Sequence, residues 1–251
     1  MDVQALSRAL ETEGGIADAT LEDLLFPTLE APGPLRFEDV RFERVDFTAA
    51  DLTGARFERC AFVACTLDRI CLADARFSAS RFHDADRAEG QTLRHADLEG
   101  ARLSGCDLSL CTLQGGHGWN LVLEDCTAQG LTVERMDFSR HPSRQLTLTA
   151  FTAERCNLAF AEFSGLHLEG ATFAGSRLRE AILDDVDLTA ADLSGCDLSG
   201  VRARRVTLAG ADLRDAQLAG LDPLRIDVAG AKIRAWQAQV LLEAMGLVVE
   251  D

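Results

Sequence analysis

A chain of 251 residues, 47% of them hydrophobic, can bury a sizeable core, yet only 6% are aromatic and tyrosine is absent, which excludes an ordinary globular core built on ring area. The net charge is −16, with arginine supplying every basic side chain except Lys232; this opposes non-specific binding to nucleic acid or an anionic membrane and favours basic partners. No apolar run approaches a membrane span, and the N-terminus, MDVQALSRALETEGG, lacks a positive segment followed by an apolar one, so a cytoplasmic location is expected.

Residues 1–34 read as a separate, acidic, partly helical segment, with Asp2, Glu11, Glu13, Asp18, Glu22, Asp23 and Glu30 against Arg8 alone. VQALSRALE predicts a short amphipathic helix. Thr20 followed by Asp23 predicts the start of a second, with Leu21, Leu24, Leu25 and Phe26 as its apolar face and Pro27 as its end. The segment would cap the open edge of the residues from 35 onward or serve as an acidic arm for a partner. Ala31-Pro32-Gly33-Pro34 is the joint.

From Phe37 a large apolar residue recurs at every fifth position, through Phe42, Phe47, Leu52, Phe57, Phe62, Leu67, Leu72, Phe77 and Phe82, with a smaller apolar residue two places before most of them. A 3.6-residue helix would smear such a series around its circumference, and a strand would send alternate members to opposite faces. Only a chain that turns after each five residues keeps them all inside, so the period predicts an all-β solenoid in which stacking buries what one unit cannot. Arg87 stands where the series would continue. It resumes at Leu93, eleven residues beyond Phe82, and the intervening HDADRAEGQ, residues 83–91, predicts a surface loop.

The second run passes through Leu98, Leu103, Leu108 and Leu113 and holds its phase through Leu148 to Ile233. Gly118 interrupts it inside GGHGWN, and Ser143 inside SRHPSRQ, so a second loop is expected at 139–147. Residues 234–251 read as a capping helix, with Trp236, Val240, Leu241 and Met245 at helical spacing and Gly246 as its C-cap.

Seven cysteines (60, 65, 106, 111, 126, 156 and 196) occupy the small inward position, so their spacing follows from the repeat and reduced thiols, not a metal site, are expected. Cys71 points outward, as an exposed bystander or a reactive thiol. His83, His95, His117, His141 and His167 are dispersed without a nucleophile–base order, and GGHGWN lacks the Lys-Ser/Thr ending of a phosphate loop. Neither an enzyme nor a cofactor is expected.

The units ADLTG, ADLEG, CDLSG and ADLRD resemble the pentapeptide-repeat family. That resemblance implies a right-handed, quadrilateral β-helix with four pentapeptides per coil over residues 35–233. The run SGCDLSLCTL, the following LEDCTAQG and the ending DVAGAKIRAWQAQVLLEAMGLVV look like the corresponding parts of the Qnr quinolone-resistance proteins. The likeness implies binding to DNA gyrase or topoisomerase IV by DNA mimicry, protection from poisons, and a homodimer through the C-terminal helix. The residues it would place at partner-binding loops are His83, Asp84, Asp86, Arg87 and Glu89 in the first and Arg140, His141, Ser143 and Arg144 in the second; the dimer residues would be Trp236, Val240, Leu241, Met245 and Leu247.

Spread over a shaft about 45 to 48 Å long, the repeat's charge falls about threefold short of duplex DNA, so mimicry must rest on one side. If the interruptions replace whole pentapeptides, one side carries Asp46, Asp68, Asp107, Glu169, Asp187 and Asp227, with Arg69 its only arginine, and a neighbouring side bunches Arg202, Arg204 and Arg205. The alternative is a non-enzymatic interaction scaffold, such as a secretion or toxin-system adaptor or an immunity protein, using the N-terminal segment for its contact.

Overall fold

The computed structural model describes residues 3–27, 34–143 and 146–249. Its short strands stack in parallel with partners twenty residues apart, as Arg36–Glu38 lies on Arg56–Glu58 and that on Arg76–Ser78, so that Phe37, Phe57 and Phe77 fall on one another. Five residues make one side and four sides one coil. The chain is a parallel β-solenoid, as the five-residue period predicts, and it has the four sides that the resemblance to pentapeptide repeats implies. Sides 1 to 4 are numbered from their members centred on Phe37, Phe42, Phe47 and Leu52. Side 1 climbs through Gly15, Arg36, Arg56, Arg76, Arg102, Val122, Thr152, Thr172, Asp192, Asp212 and Lys232. At about 4.8 Å a step, that is a shaft about 48 Å long.

The interior is apolar because nearly every side delivers a hydrophobic central residue inward. Phe57 stacks on Phe77 with centroids 4.5 Å apart, and Phe62 on Phe82 at 4.7 Å. Each buried ring contributes about 1.5–3 kcal/mol of transfer free energy. Beyond Phe82 leucine takes over, and the change of shape leaves a void of about 20 Å³ among Phe77, Phe82, Leu93, Leu98 and Leu103. Outside, an Asp one place before the central residue accepts the backbone N–H two residues on, as Asp51 does from Thr53 at 3.0 Å and Asp187 from Thr189 at 3.0 Å. These Asx turns fold the chain at its corners.

Two hairpins interrupt the stacking. His83–Asp84 pairs antiparallel with Glu89–Gly90, and Ser139–Ser143 with Leu146–Thr149. Across the first, Arg76 meets Arg102; across the second, Leu123 meets Ala153. The steps are therefore twenty-six and thirty residues in place of twenty, so the insertions are six and ten residues. Leu148 keeps the five-residue phase but lies on the second hairpin, 43% exposed. Periodicity alone made it look like core.

The N-terminal segment departs most from expectation. A helix, α1, covers Val3–Glu13 and seals the shaft with Leu6 and Leu10. No second helix follows: Gly15–Ala17 pairs with Arg36–Glu38, Thr20–Glu22 with Arg41–Glu43, and Leu25 with Asp46. Ile16, Leu21 and Phe26 are themselves spaced by five, and Phe26 stacks on Phe47 at 5.0 Å, so this stretch adds a coil. Within it Leu25 points to solvent, where a helix would have used it as apolar face. Residues 31–33 of the joint lie outside the described residues.

At the other end a helix, α2, covers Ala235–Ala244 and stops at Gly246, whose φ is +84°. Its anchor is polar. Gln237 is fully buried; its amide donates to the carbonyls of Leu213 and Ala216, both at 2.8 Å, and its oxygen accepts from the Arg234 N–H at 2.7 Å. No helix among the described residues is long and apolar enough to cross a membrane.

Candidate partner-binding surface

Insertion lengths set which side a residue occupies, and they redistribute the expected acidic face. Asp46 stacks on Thr66, one residue before the centre of side 3, and Asp68 is on that side too. Asp107 stacks between Arg81 and Thr127 on side 2. Glu169, Asp187 and Asp227 belong to side 4, where His167, Asp187, Thr207 and Asp227 form one column. The six carboxylates thus lie on three sides. The error is physical: the first insertion is six residues rather than one, which turns the pentapeptides beyond it by one side, and the second, of ten, turns those after it by two more.

The structure gathers a different acidic set. Side 4 carries Asp51, Asp74, Asp97, Glu99, Asp137, Glu169, Asp187 and Asp227, none of them buried, against Arg140 as its only arginine. Over about 38 Å that is one net negative charge per about 5.5 Å, compared with one per about 3.4 Å along a single DNA strand. The other sides come near balance because arginines are interleaved and paired across coils: Arg44 with Asp23, Arg59 with Asp39, Arg155 with Asp125 and Arg205 with Asp185. Glu22 and Asp23 are both bound to Arg44, which spends two charges of the N-terminal segment inside the molecule.

On side 4 only Glu99 forms an ion pair among the described residues, with Arg140 and with His117 at 3.3 Å. The Arg140 guanidinium also lies 4.1 Å from the Trp119 ring centre, which ties the second hairpin down over this side. Burial opposes ionisation at Asp137, but the Ser139 hydroxyl and N–H outweigh it and hold its carboxyl below the usual range. Between hairpin and shaft runs a groove of about 570 Å³, lined by Asp137, His141, Thr147, His167, Glu169 and Asp187 among others. Ser139 and Thr147 hold the His141 ring at 3.2 and 3.1 Å. Ser143 lies at the hairpin tip, and Arg144 falls outside the described residues.

The first hairpin leaves the opposite edge, between sides 2 and 3. Its base is tied to the shaft by His83, 3.6 Å from Asp107, while Asp84 accepts the Asp86 N–H and faces Arg87 at 3.7 Å. Asp86, Arg87 and Glu89 are exposed. Gly90 passes so close to Leu110 that a Cβ there would meet its carbonyl at 2.3 Å.

On α2, Trp236 and Leu242 are exposed, as are Met245, Leu247 and Val248 just beyond it, whereas Val240 and Leu241 are half-buried against the last coils. The cysteines are free thiols, and burial pushes Cys60 and Cys65 up to about 11 and Cys111 and Cys196 to about 12. Cys71 is half-buried on side 4, 3.1 Å from the Thr53 hydroxyl. Among the described residues no group of three or more His, Cys, Asp or Glu side chains could hold a metal ion.

Trp119 and the carboxylates of Asp51, Asp74, Asp97, Glu99 and Asp137 escaped sequence reasoning. Their signal was present: Asp51, Asp97, Asp137, Asp187 and Asp227 all precede the centre of a unit, and only the insertion lengths were needed to align them.

Among solved structures the chain is similar to full-length QnrB1, a plasmid-mediated fluoroquinolone resistance protein, with a TM-score of 0.75, 23% identity and coverage of 93% of this chain and 100% of that one. The M102R form of QnrB1, trypsin-treated, gives 0.72 at 22% identity, covering 93% and 99%. No curated protein sequence matches the chain. The profile of pentapeptide repeats matches in eight copies over residues 41–78, 88–115, 156–195 and 187–222. With more than half of its length in these repeats and its strands stacked four to a coil, the chain belongs to the pentapeptide-repeat family.

Proposed function

We propose that this protein binds a type II topoisomerase, DNA gyrase or topoisomerase IV, and shields it from poisons such as fluoroquinolones or natural-product inhibitors. The observation that carries the reading is side 4: a straight file of carboxylates, nearly free of arginine, with all but Glu99 left without an ion pair among the described residues. A surface that binds phosphates with lysine and arginine would accept such a file in place of a DNA strand, and the likeness of fold to QnrB1 supports the choice of partner. Nothing in the proposed action requires catalysis; the protein acts in the cytoplasm by occupancy. Two copies join through α2 and the residues just beyond it, where Trp236, Leu242, Met245 and Leu247 would otherwise face water.

Supercoiling and drug-stabilised cleavage by purified gyrase, titrated with this protein, test the reading. Rescue of supercoiling in the presence of a fluoroquinolone supports it. Absence of both gyrase retention and rescue would leave the family's scaffold role as the better account.

A further inference from the structure

Arg36, Arg56, Arg76 and Arg102 are direct neighbours in four successive parallel strands of side 1. All four are exposed, and none makes a side-chain hydrogen bond or ion pair among the described residues. Elsewhere on the shaft Arg44, Arg59, Arg155, Arg205 and Arg234 each reach a carboxylate about one coil away, and arginines without an ion pair among the described residues, such as Arg81 and Arg177, stand singly, between Ala61 and Asp107 and between Asn157 and Asp197. Like charges stacked about 4.8 Å apart destabilise a sheet. In a chain with sixteen excess negative charges there was no shortage of carboxylates to interleave. The column also changes character at Val122, and Asp192 and Asp212 occupy it further on before Lys232 at its far end, so the consecutive cations form one stretch.

We propose that this arginine ladder is a second docking surface, separate from side 4, and that it receives the acidic face of a partner helix. Its span is about 14 Å, three steps of about 4.8 Å. Carboxylates at i, i+4, i+7 and i+11 of an α-helix run along one face over about 16.5 Å, about one per turn, a mismatch that flexible arginine side chains absorb. Nucleic acid fits less well. Glu38 and Glu58 stand on the same strands two residues along, and Asp74 is at the adjoining corner, so a phosphate backbone would meet anions on both flanks. A helix can present neutral or basic residues to those flanks while its carboxylates face the ladder.

The test uses fluorescence anisotropy on the full chain with three labelled probes: a twenty-residue helical peptide with Glu at i, i+4, i+7 and i+11, the same peptide with Gln there, and a twenty-nucleotide single strand of DNA. The Glu peptide should bind at least tenfold more tightly than the Gln peptide and weaken as salt rises. Arg56→Ser with Arg76→Ser should lose at least tenfold while melting at or above the parent's temperature, since repulsion is relieved; Arg56→Lys with Arg76→Lys should retain most of the binding. Equal binding of the two peptides, full binding by the Ser variant, tighter binding of DNA than of the Glu peptide, or a Ser variant that melts lower would each overturn the proposal. Gyrase rescue does not enter the readout, so this inference and the reading of side 4 can fail separately.

Discussion

The amide of Gln237 donates to the carbonyl of Leu213 at 2.8 Å from a fully buried position, which makes one polar side chain the link between the terminal helix and the shaft it closes. The same side chain also satisfies the Ala216 carbonyl and the Arg234 and Asp215 N–H groups. Gln237→Ala leaves several of them without a partner, so a loss of about 2–3 kcal/mol is expected. Urea denaturation would show it, and a variant as stable as the parent would mean that water replaces the amide.

Deleting residues 141–150 should be tolerated. The cut removes ten residues, restores a twenty-residue step from Glu124 to the strand beyond, and keeps both the Ser139–Asp137 turn bond and Arg140 on Glu99. The melting temperature should stay within a few degrees of the parent's, because an exposed hairpin buries little. Topoisomerase protection should fall; full protection by the shortened chain would remove this hairpin from the binding surface.

Replacing Asp51, Asp97, Asp187 and Asp227 by Asn removes four charges from side 4, while the amide oxygen can still accept each corner's N–H. Stability should hardly change, and protection of gyrase should drop at least severalfold and more steeply at low salt. Replacing the same number of carboxylates on side 1 provides the control.

Asp212 is held down to about 2, chiefly by the guanidinium of Arg214 2.5 Å away. A carboxyl whose folded value lies below its unfolded value contributes stability that is present above about 4 and disappears as pH falls towards 2. Asp212→Asn should therefore be less stable than the parent at neutral pH and converge on it as pH falls towards 2, so that the acid limb of its stability–pH curve is flatter. An unchanged acid limb would assign the loss to other carboxylates.

Leu242→Asp with Met245→Asp should yield monomers by sedimentation without lowering the melting temperature, since both side chains face outward. Leu241 is the wrong probe, because it is half-buried against the last coils and its replacement would confound association with folding.

Much of this molecule was legible in advance because one number, five, governs both burial and direction. The period located Phe37 to Phe82, the free cysteines and both interruptions. It failed where periodicity is degenerate. Ile16, Leu21 and Phe26 offer only three repeats, too few to outweigh a helical reading of LEDLLF, and Leu148 keeps phase while standing in solvent. The acidic side was lost for a sharper reason: a sequence records that something was inserted after Phe82 but not how the chain re-enters the coil, and each five residues of uncertainty is a quarter turn. Gln237 left no signal, since a polar residue in a surface helix is ordinary until its carbonyl partners are seen.

The two hairpins leave diagonally opposite edges, one between sides 2 and 3 and the other between sides 4 and 1, with two coils between them. In this architecture distance and bearing are independent settings. Adding or removing twenty residues between the hairpins would move them about 4.8 Å apart or together and leave their directions untouched, whereas five would swing one of them to the next edge. The shaft is thus a ruler with a compass attached. A lineage of such chains can fit clefts of different depth by whole coils without re-aiming the elements that grip the walls.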